Sequence, residues 1–142
     1  MHVRCADLLE SVAYERKVTR QNPIAGVGIG SAHPQRRRVT FEGGYNARPR
    51  LSGDGSRLAV VTTQGGGYRI GVQDLVAGGL RTVTEGPNDE SPAFAPNGQW
   101  LVYAARRGGR GVLATVAVDS GARSVLSATA ADIRSPTWGR LP

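Results

Sequence analysis

A ten-residue pattern returns along this chain at a near-constant interval, and it limits the fold more than any other property of the sequence. Its clearest copy is Asp89-Glu90-Ser91-Pro92-Ala93-Phe94-Ala95-Pro96-Asn97-Gly98, followed by the apolar run Trp100-Leu101-Val102-Tyr103-Ala104. An earlier copy is Asn46-Ala47-Arg48-Pro49-Arg50-Leu51-Ser52-Gly53-Asp54-Gly55, and a third begins at Asp132-Ile133-Arg134-Ser135-Pro136-Thr137-Trp138-Gly139. Pro49 and Pro92 lie 43 residues apart, and Pro92 and Pro136 lie 44 apart. Val39-Thr40 and Val83-Thr84 are 44 apart, with Val125-Leu126 a further 42 on. A period in the low forties built from short strands and Gly-rich turns is that of a β-propeller blade.

The expected fold class is therefore all-β. The architecture is a partial β-propeller, with about two complete four-stranded antiparallel blades plus single strands of flanking blades. Residues 38–142 form this incomplete propeller, with blades at about 45–84 and 88–127 and the start of another at 133–139. In the first blade the strands are expected at Arg48–Leu51, Arg57–Thr63, Tyr68–Asp74 and Leu80–Thr84. In the second they fall at Pro92–Ala95, Gln99–Arg106, Gly111–Val118 and Arg123–Ser127. Arg57–Thr63 carries apolar residues on both faces, as a strand sandwiched between neighbouring blades must. Asn97-Gly98 reads as a type I′ turn, with both residues at positive φ. Trp100 and Trp138 stand in apolar strands and are expected in the core.

Residues 1–37 do not follow the repeat and read as an irregular or partly disordered lead-in. Asp7–Glu15 could form a short helix capped by Asp7, with Glu10 three residues on. Val39-Thr40-Phe41 reads as the outer strand of a blade whose earlier strands are not recognisable upstream. Gly26-Val27-Gly28-Ile29-Gly30 lacks the third glycine, the preceding strand and the following helix of a phosphate-cradling loop, and reads as a linker.

Twenty glycines among 142 residues would suggest low complexity, but they recur with the repeat and so mark turns. The net charge of +7 is spread thinly. Residues 1–38 hold seven bases and three acids, and residues 39–142 hold eleven and eight. Nucleic-acid binding needs a concentrated basic stripe, so no nucleic acid is expected as a partner. Arg106-Arg107-Gly108-Gly109-Arg110 resembles an arginine-glycine segment, but glycine is what a hairpin between the second and third strands requires. No stretch approaches the roughly 18 apolar residues of a membrane span, so direct membrane insertion is not expected. The acids near the start break any secretory apolar core, so no signal peptide is read.

Residues 39–142 supply about two and a half blades, whereas rings close with roughly four to eight. Two blade faces are then left open, and self-association through them is expected.

Catalytic chemistry finds no support in the residue pattern. The histidines, His2 and His33, lie in the lead-in, and no Gly-x-Ser-x-Gly elbow occurs. One cysteine and two histidines do not make a zinc site, and no loop has calcium-binding spacing. Asp89 and Glu90 are adjacent on an extended chain and point opposite ways, a poor arrangement for acting on one bond. No catalytic, cofactor or metal residue is assigned.

The segments Arg38–Asn46, Gly71-Val72-Gln73-Asp74-Leu75, Asp89–Gly98 and Ile133–Gly139 together resemble the C-terminal blades of the TolB propeller family of the Tol-Pal envelope system. The resemblance covers about residues 36–142 and rests on the order and spacing of four segments. It implies a six-bladed propeller, a periplasmic location, a role in envelope integrity and cell division, and binding of the peptidoglycan-associated lipoprotein Pal. The family's N-terminal α/β domain, its signal peptide and its earlier blades are not seen, so a truncated fragment retained in the cytoplasm is an open alternative. A propeller fragment of a prolyl-peptidase-like enzyme lacking its catalytic domain, or a non-functional remnant, are the others. In a propeller, the loops joining an outer strand to the next inner strand line one rim. Here those loops carry Tyr45, Asn46, Arg48, Asp89, Glu90, Asp132 and Arg134, which are the expected partner-binding residues.

Overall fold

The computed structural model describes residues 2–4, 14–16, 36–38, 40, 42 and 45–139. Among them there is no helix. Strands β4 (Asn46–Leu51), β5 (Arg57–Thr62), β6 (Arg69–Asp74) and β7 (Leu80–Thr82) form one antiparallel sheet in consecutive order. Strands β8 (Asp89–Phe94), β9 (Trp100–Arg107), β10 (Arg110–Ala117) and β11 (Arg123–Thr129) form a second with the same meander. The chain is thus all-β, with two four-stranded propeller blades at the positions the repeat indicates.

The blades stack face to face because their central strands are apolar on both sides. Ala59, Val61, Ile70 and Val72 of the first blade bury against Leu101, Tyr103, Val112, Ala114 and Val116 of the second, with Phe94 packed at the edge. The other face of the first blade buries Leu58, Val60 and Leu80. Gly71 in β6 allows close packing, because a Cβ there would come within 2.9 Å of the Leu80 side chain. Three straps cross between the blades: Arg57 to Asp119 at 2.9 Å, Arg123 to Glu85 at 3.0 Å, and Arg81 Nη2 donating to Val118 O at 2.5 Å.

Both turns between first and second strands differ from the type I′ expectation. Gly98 has φ 69° and Gly55 has φ 75°, but neither Asn97 nor Asp54 is left-handed. Four residues, Pro96–Gln99, separate β8's extension at Ala95 from Trp100, and a two-residue turn cannot span them. The chain instead makes a Gly98 N–H to Ala95 O turn and exits through a left-handed glycine, as hairpins of this length do. Asn97 and Asp54 serve through their side chains: each Oδ1 accepts the backbone N–H two residues on, from Gln99 and Ser56. The type I′ geometry occurs at Gly108-Gly109, with φ 56° and 76° between paired Arg107 and Arg110.

Two further expectations are corrected. Trp100 and Trp138 are 36% and 38% exposed rather than core. Trp100 shares the outward face of the second blade with Val102 and Ala104, over which no further described sheet lies. Upstream, β1 (His2–Arg4), β2 (Tyr14–Arg16) and β3 (Arg36–Arg38) form a three-stranded antiparallel sheet that the sequence did not suggest. The helix expected over residues 7–15 falls outside the described residues except at Tyr14 and Glu15, which are extended. Residues 26–30, read as a linker, also lie outside them.

Two outcomes follow from the turns. Gly66 and Gly67 both have positive φ, but a Cβ on Gly66 meets open space while one on Gly67 comes 2.8 Å from Pro87 Cα. Gly66→Ala should cost about 1 kcal/mol and Gly67→Ala about 2–3 kcal/mol more, as urea unfolding would show. The Asp54 carboxyl is lowered from 3.8 to about 2, first by the hydrogen bond from Ser52 Oγ and then by those from Ser56. This lowering means that the turn's contribution is present above pH 3.8 and is lost as pH falls towards 2. Ser52→Ala should move the Asp54 midpoint, read by NMR titration, back towards 3.8.

Candidate functional site

One end of the two blades carries the outer-to-inner connections and the hairpins between second and third strands. A groove of about 420 Å³ opens there, and the strands shape it through a repeated irregularity. In β4, Arg48 and Pro49 together oppose Val60; in β8, Ser91 and Pro92 oppose Tyr103. Each is a β-bulge, which leaves a ladder position where proline's missing N–H is harmless. The residue before each proline is left-handed: Arg48 at φ 51°, Ser91 at 55°, and Ser135, at the same repeat position, at 47°. Non-glycine residues hold that conformation at a cost of about 1–3 kcal/mol when surrounding structure over-determines it.

The bulges bring successive repeat positions into contact. Arg48 Nη1 donates to Ser91 Oγ at 2.7 Å, and Nη2 lies 3.5 Å from Glu90 Oε2. Tyr45 and Tyr68 meet edge to face with ring centres 5.8 Å apart and form an aromatic wall. Opposite them, Arg106 pairs with Asp132 at 2.6 Å, and Arg134 lies 3.5 Å from the same aspartate. Ala47, Val61, Ala105 and Ile133 supply apolar lining.

The floor is rigid. Tyr68 N–H donates to Pro87 O at 2.7 Å, Asp89 N–H to Tyr68 O at 2.9 Å, and Arg106 N–H to Asn88 O at 3.2 Å. The connection before β8 is thereby stitched to both neighbouring hairpins. Asp89 anchors it: fully buried, its Oδ1 accepts from Arg107 Nη2 at 2.7 Å and its Oδ2 from Gly86 N–H at 3.0 Å. Gly86 must lack a side chain, because a Cβ there would overlap the Arg107 guanidinium. Tyr103 is buried behind this pair, and burial, then the Asp89 charge, raises its phenol above the ordinary 10.0.

Of the seven residues expected from sequence, Tyr45, Arg48, Glu90, Asp132 and Arg134 line the groove. Asn46 and Asp89 do not. Asn46 is buried, and its Nδ2 donates to Glu42 O at 2.6 Å; Asp89 is spent on Arg107 and Gly86. Sequence reasoning missed Tyr68 and Arg106. Both belong to hairpins between second and third strands, which open on the same rim as the connections that were considered. Among the described residues no three His, Cys, Asp or Glu side chains gather as metal ligands. Cys5 and His33 lie outside the described residues.

Blade stacking, meander order and a rim groove built from two kinds of loop together define a β-propeller module. The chain belongs to the TolB β-propeller family, whose domain description matches residues 27–142. The Tol-Pal system protein TolB of Xanthomonas campestris pv. campestris (strain B100) is 46% identical over 104 residues, 72% of this chain and 24% of that protein. That of Xanthomonas oryzae pv. oryzae (strain PXO99A) matches with the same identity and coverage. This chain thus spans about a quarter of the length of these relatives. The crystal structure of TolB from Acinetobacter baumannii superposes with a TM-score of 0.67 at 38% identity, covering 76% of this chain and 27% of that one. The β-propeller domain of the Trilobed protease from Pyrococcus furiosus superposes at 0.53 with 19% identity, covering 66% and 30%, and shares the fold alone.

Asp89→Asn would leave Arg107 without its partner carboxylate beneath the groove. It should cost about 1–3 kcal/mol in urea unfolding. Glu90→Gln, at a half-exposed pair, should cost less than about 1 kcal/mol.

Proposed function

We propose that this chain is a non-catalytic protein-binding module of the Tol-Pal system, acting in the periplasm and binding the lipoprotein Pal through the groove-bearing rim. The family and the 46% identity to Tol-Pal proteins support the system. The observation that carries the interface reading is the groove's make-up. Five charged side chains, an exposed tyrosine pair and a preformed floor stand on one rim. Such a surface suits a charge-steered protein partner: aromatic anchors supply contact area, and the half-exposed arginines and carboxylates fix register. Asn46 and Asp89 act from beneath, holding the loops on which the other five stand.

Surface plasmon resonance with the immobilised soluble domain of Pal tests this. Saturable binding is expected, weakening as salt rises. Tyr45→Ala should weaken it about tenfold, and Arg134→Glu should chiefly slow association. Val76→Ser, on the opposite rim, should leave it unchanged. Absence of saturable binding by the folded chain up to about 1 mM Pal would overturn the assignment.

A further inference from the structure

We infer that two copies of this chain join head to tail, the segment Ile133–Trp138 of each supplying the inner strand of a blade whose other three strands are β1, β2 and β3 of the other. The argument rests on repeat register and sheet order and is independent of the partner proposed above.

The segment after β11 behaves as the first strand of a blade. Ser135-Pro136-Thr137-Trp138 falls in register with Ser91-Pro92-Ala93-Phe94, and Ser135 repeats the left-handed φ of Ser91 and Arg48. It also lies where a following blade begins, for Trp138 Nε1 donates to Ala93 O of β8 at 3.0 Å. Yet among the described residues it pairs with no strand. Its backbone thus presents one inner strand without a second.

The upstream sheet has the opposite composition. Arg36–Arg38 stands 44 residues before Leu80–Thr82, so β3 holds the fourth-strand position of a blade. Thr40 is fully buried, as Thr84 is at the matching position of the next blade. Since β1, β2 and β3 pair antiparallel in chain order, they stand as second, third and fourth strands. Among the described residues nothing pairs with the free edge of β1, where an inner strand belongs. Three strands wanting a first, and a first strand wanting three, are complementary. Antiparallel pairing of 133–138 with β1 satisfies both edges, and open edges of this kind recruit strands.

Ring size selects the copy number. Each chain contributes two whole blades and the parts of a third, so two copies supply six blades. That falls within the range of about four to eight in which propellers close, whereas one copy falls below it and three exceed it. Closure would also cover Trp100 and Trp138, which stand more than a third exposed at the junction face. The junction borders the groove, since Asp132, Ile133 and Arg134 line it.

Sedimentation equilibrium and disulfide trapping on the full chain test the arrangement. The wild type should sediment at twice its 15.0 kDa mass. Cys5 immediately follows β1, so Thr137→Cys should oxidise to a species that runs as a dimer on non-reducing gels and as a monomer after reduction. Thr137→Pro removes an N–H from the joining strand and should give a monomer with an unchanged β-sheet circular dichroism spectrum. A wild type that is monomeric at about 100 μM, or that forms only heterogeneous aggregate, overturns the inference. So does a Thr137→Cys disulfide closed within one chain, or a Thr137→Pro variant that remains dimeric.

Discussion

The stacking of one blade's inner face on the next is the interaction on which the structure depends. A four-stranded sheet with apolar residues on both faces has no stable existence alone, because alternation leaves half of its side chains in water whichever way it turns. Ala59, Val61, Ile70 and Val72 resolve this by burying against Leu101, Tyr103, Val112, Ala114 and Val116. Small residues at Ala59, Ala105 and Ala114 let the larger ones interdigitate across the seam. The arginine straps Arg57–Asp119 and Arg123–Glu85 lie at the exposed margins, where ion pairs contribute little, and they set alignment more than stability.

Stacking also explains why the rim is a site. Once two blades are face to face, equivalent loops lie side by side, and side chains at one repeat position can reach their counterparts in the next. Arg48 and Ser91, 43 residues apart, hydrogen-bond for this reason. The left-handed bulges before Pro49 and Pro92 are the local device, since a regular strand would direct those side chains along the sheet. The buried Asp89–Arg107 pair then keeps the intervening loop from relaxing the strain. Mixed charges on so fixed a frame favour recognition of a partner with a defined charge pattern.

Much of this could be read from the chain itself. Strand positions came from apolar alternation and glycine spacing, and agree with the structure to within one to three residues, because both signals are local. Five of the groove residues could be named because propeller topology places outer-to-inner loops on one rim. Tyr68 and Arg106 escaped because their loops looked like ordinary glycine turns, and their proximity to the groove depends on how the blades stack. The burial of Asp89 escaped for a similar reason: its partner Arg107 is 18 residues away, and nothing in the spacing pairs them. The short strands β1 to β3 lie in arginine- and glycine-rich surroundings without alternation, so no periodic signal marked them.

By itself, the sequence determined the blade: its period, its meander order, its turns' dependence on glycine, and the rim on which a site would stand. These are properties of segments a few residues long, repeated often enough to be certain. Tertiary structure decided which rim residues face outward and which hold the loops from beneath, that Asn97 and Asp54 act through side chains rather than backbone, and that both tryptophans lie at an uncovered face. Those outcomes depend on what lies opposite each residue across the stacked sheets, and a linear pattern carries no record of the opposing surface.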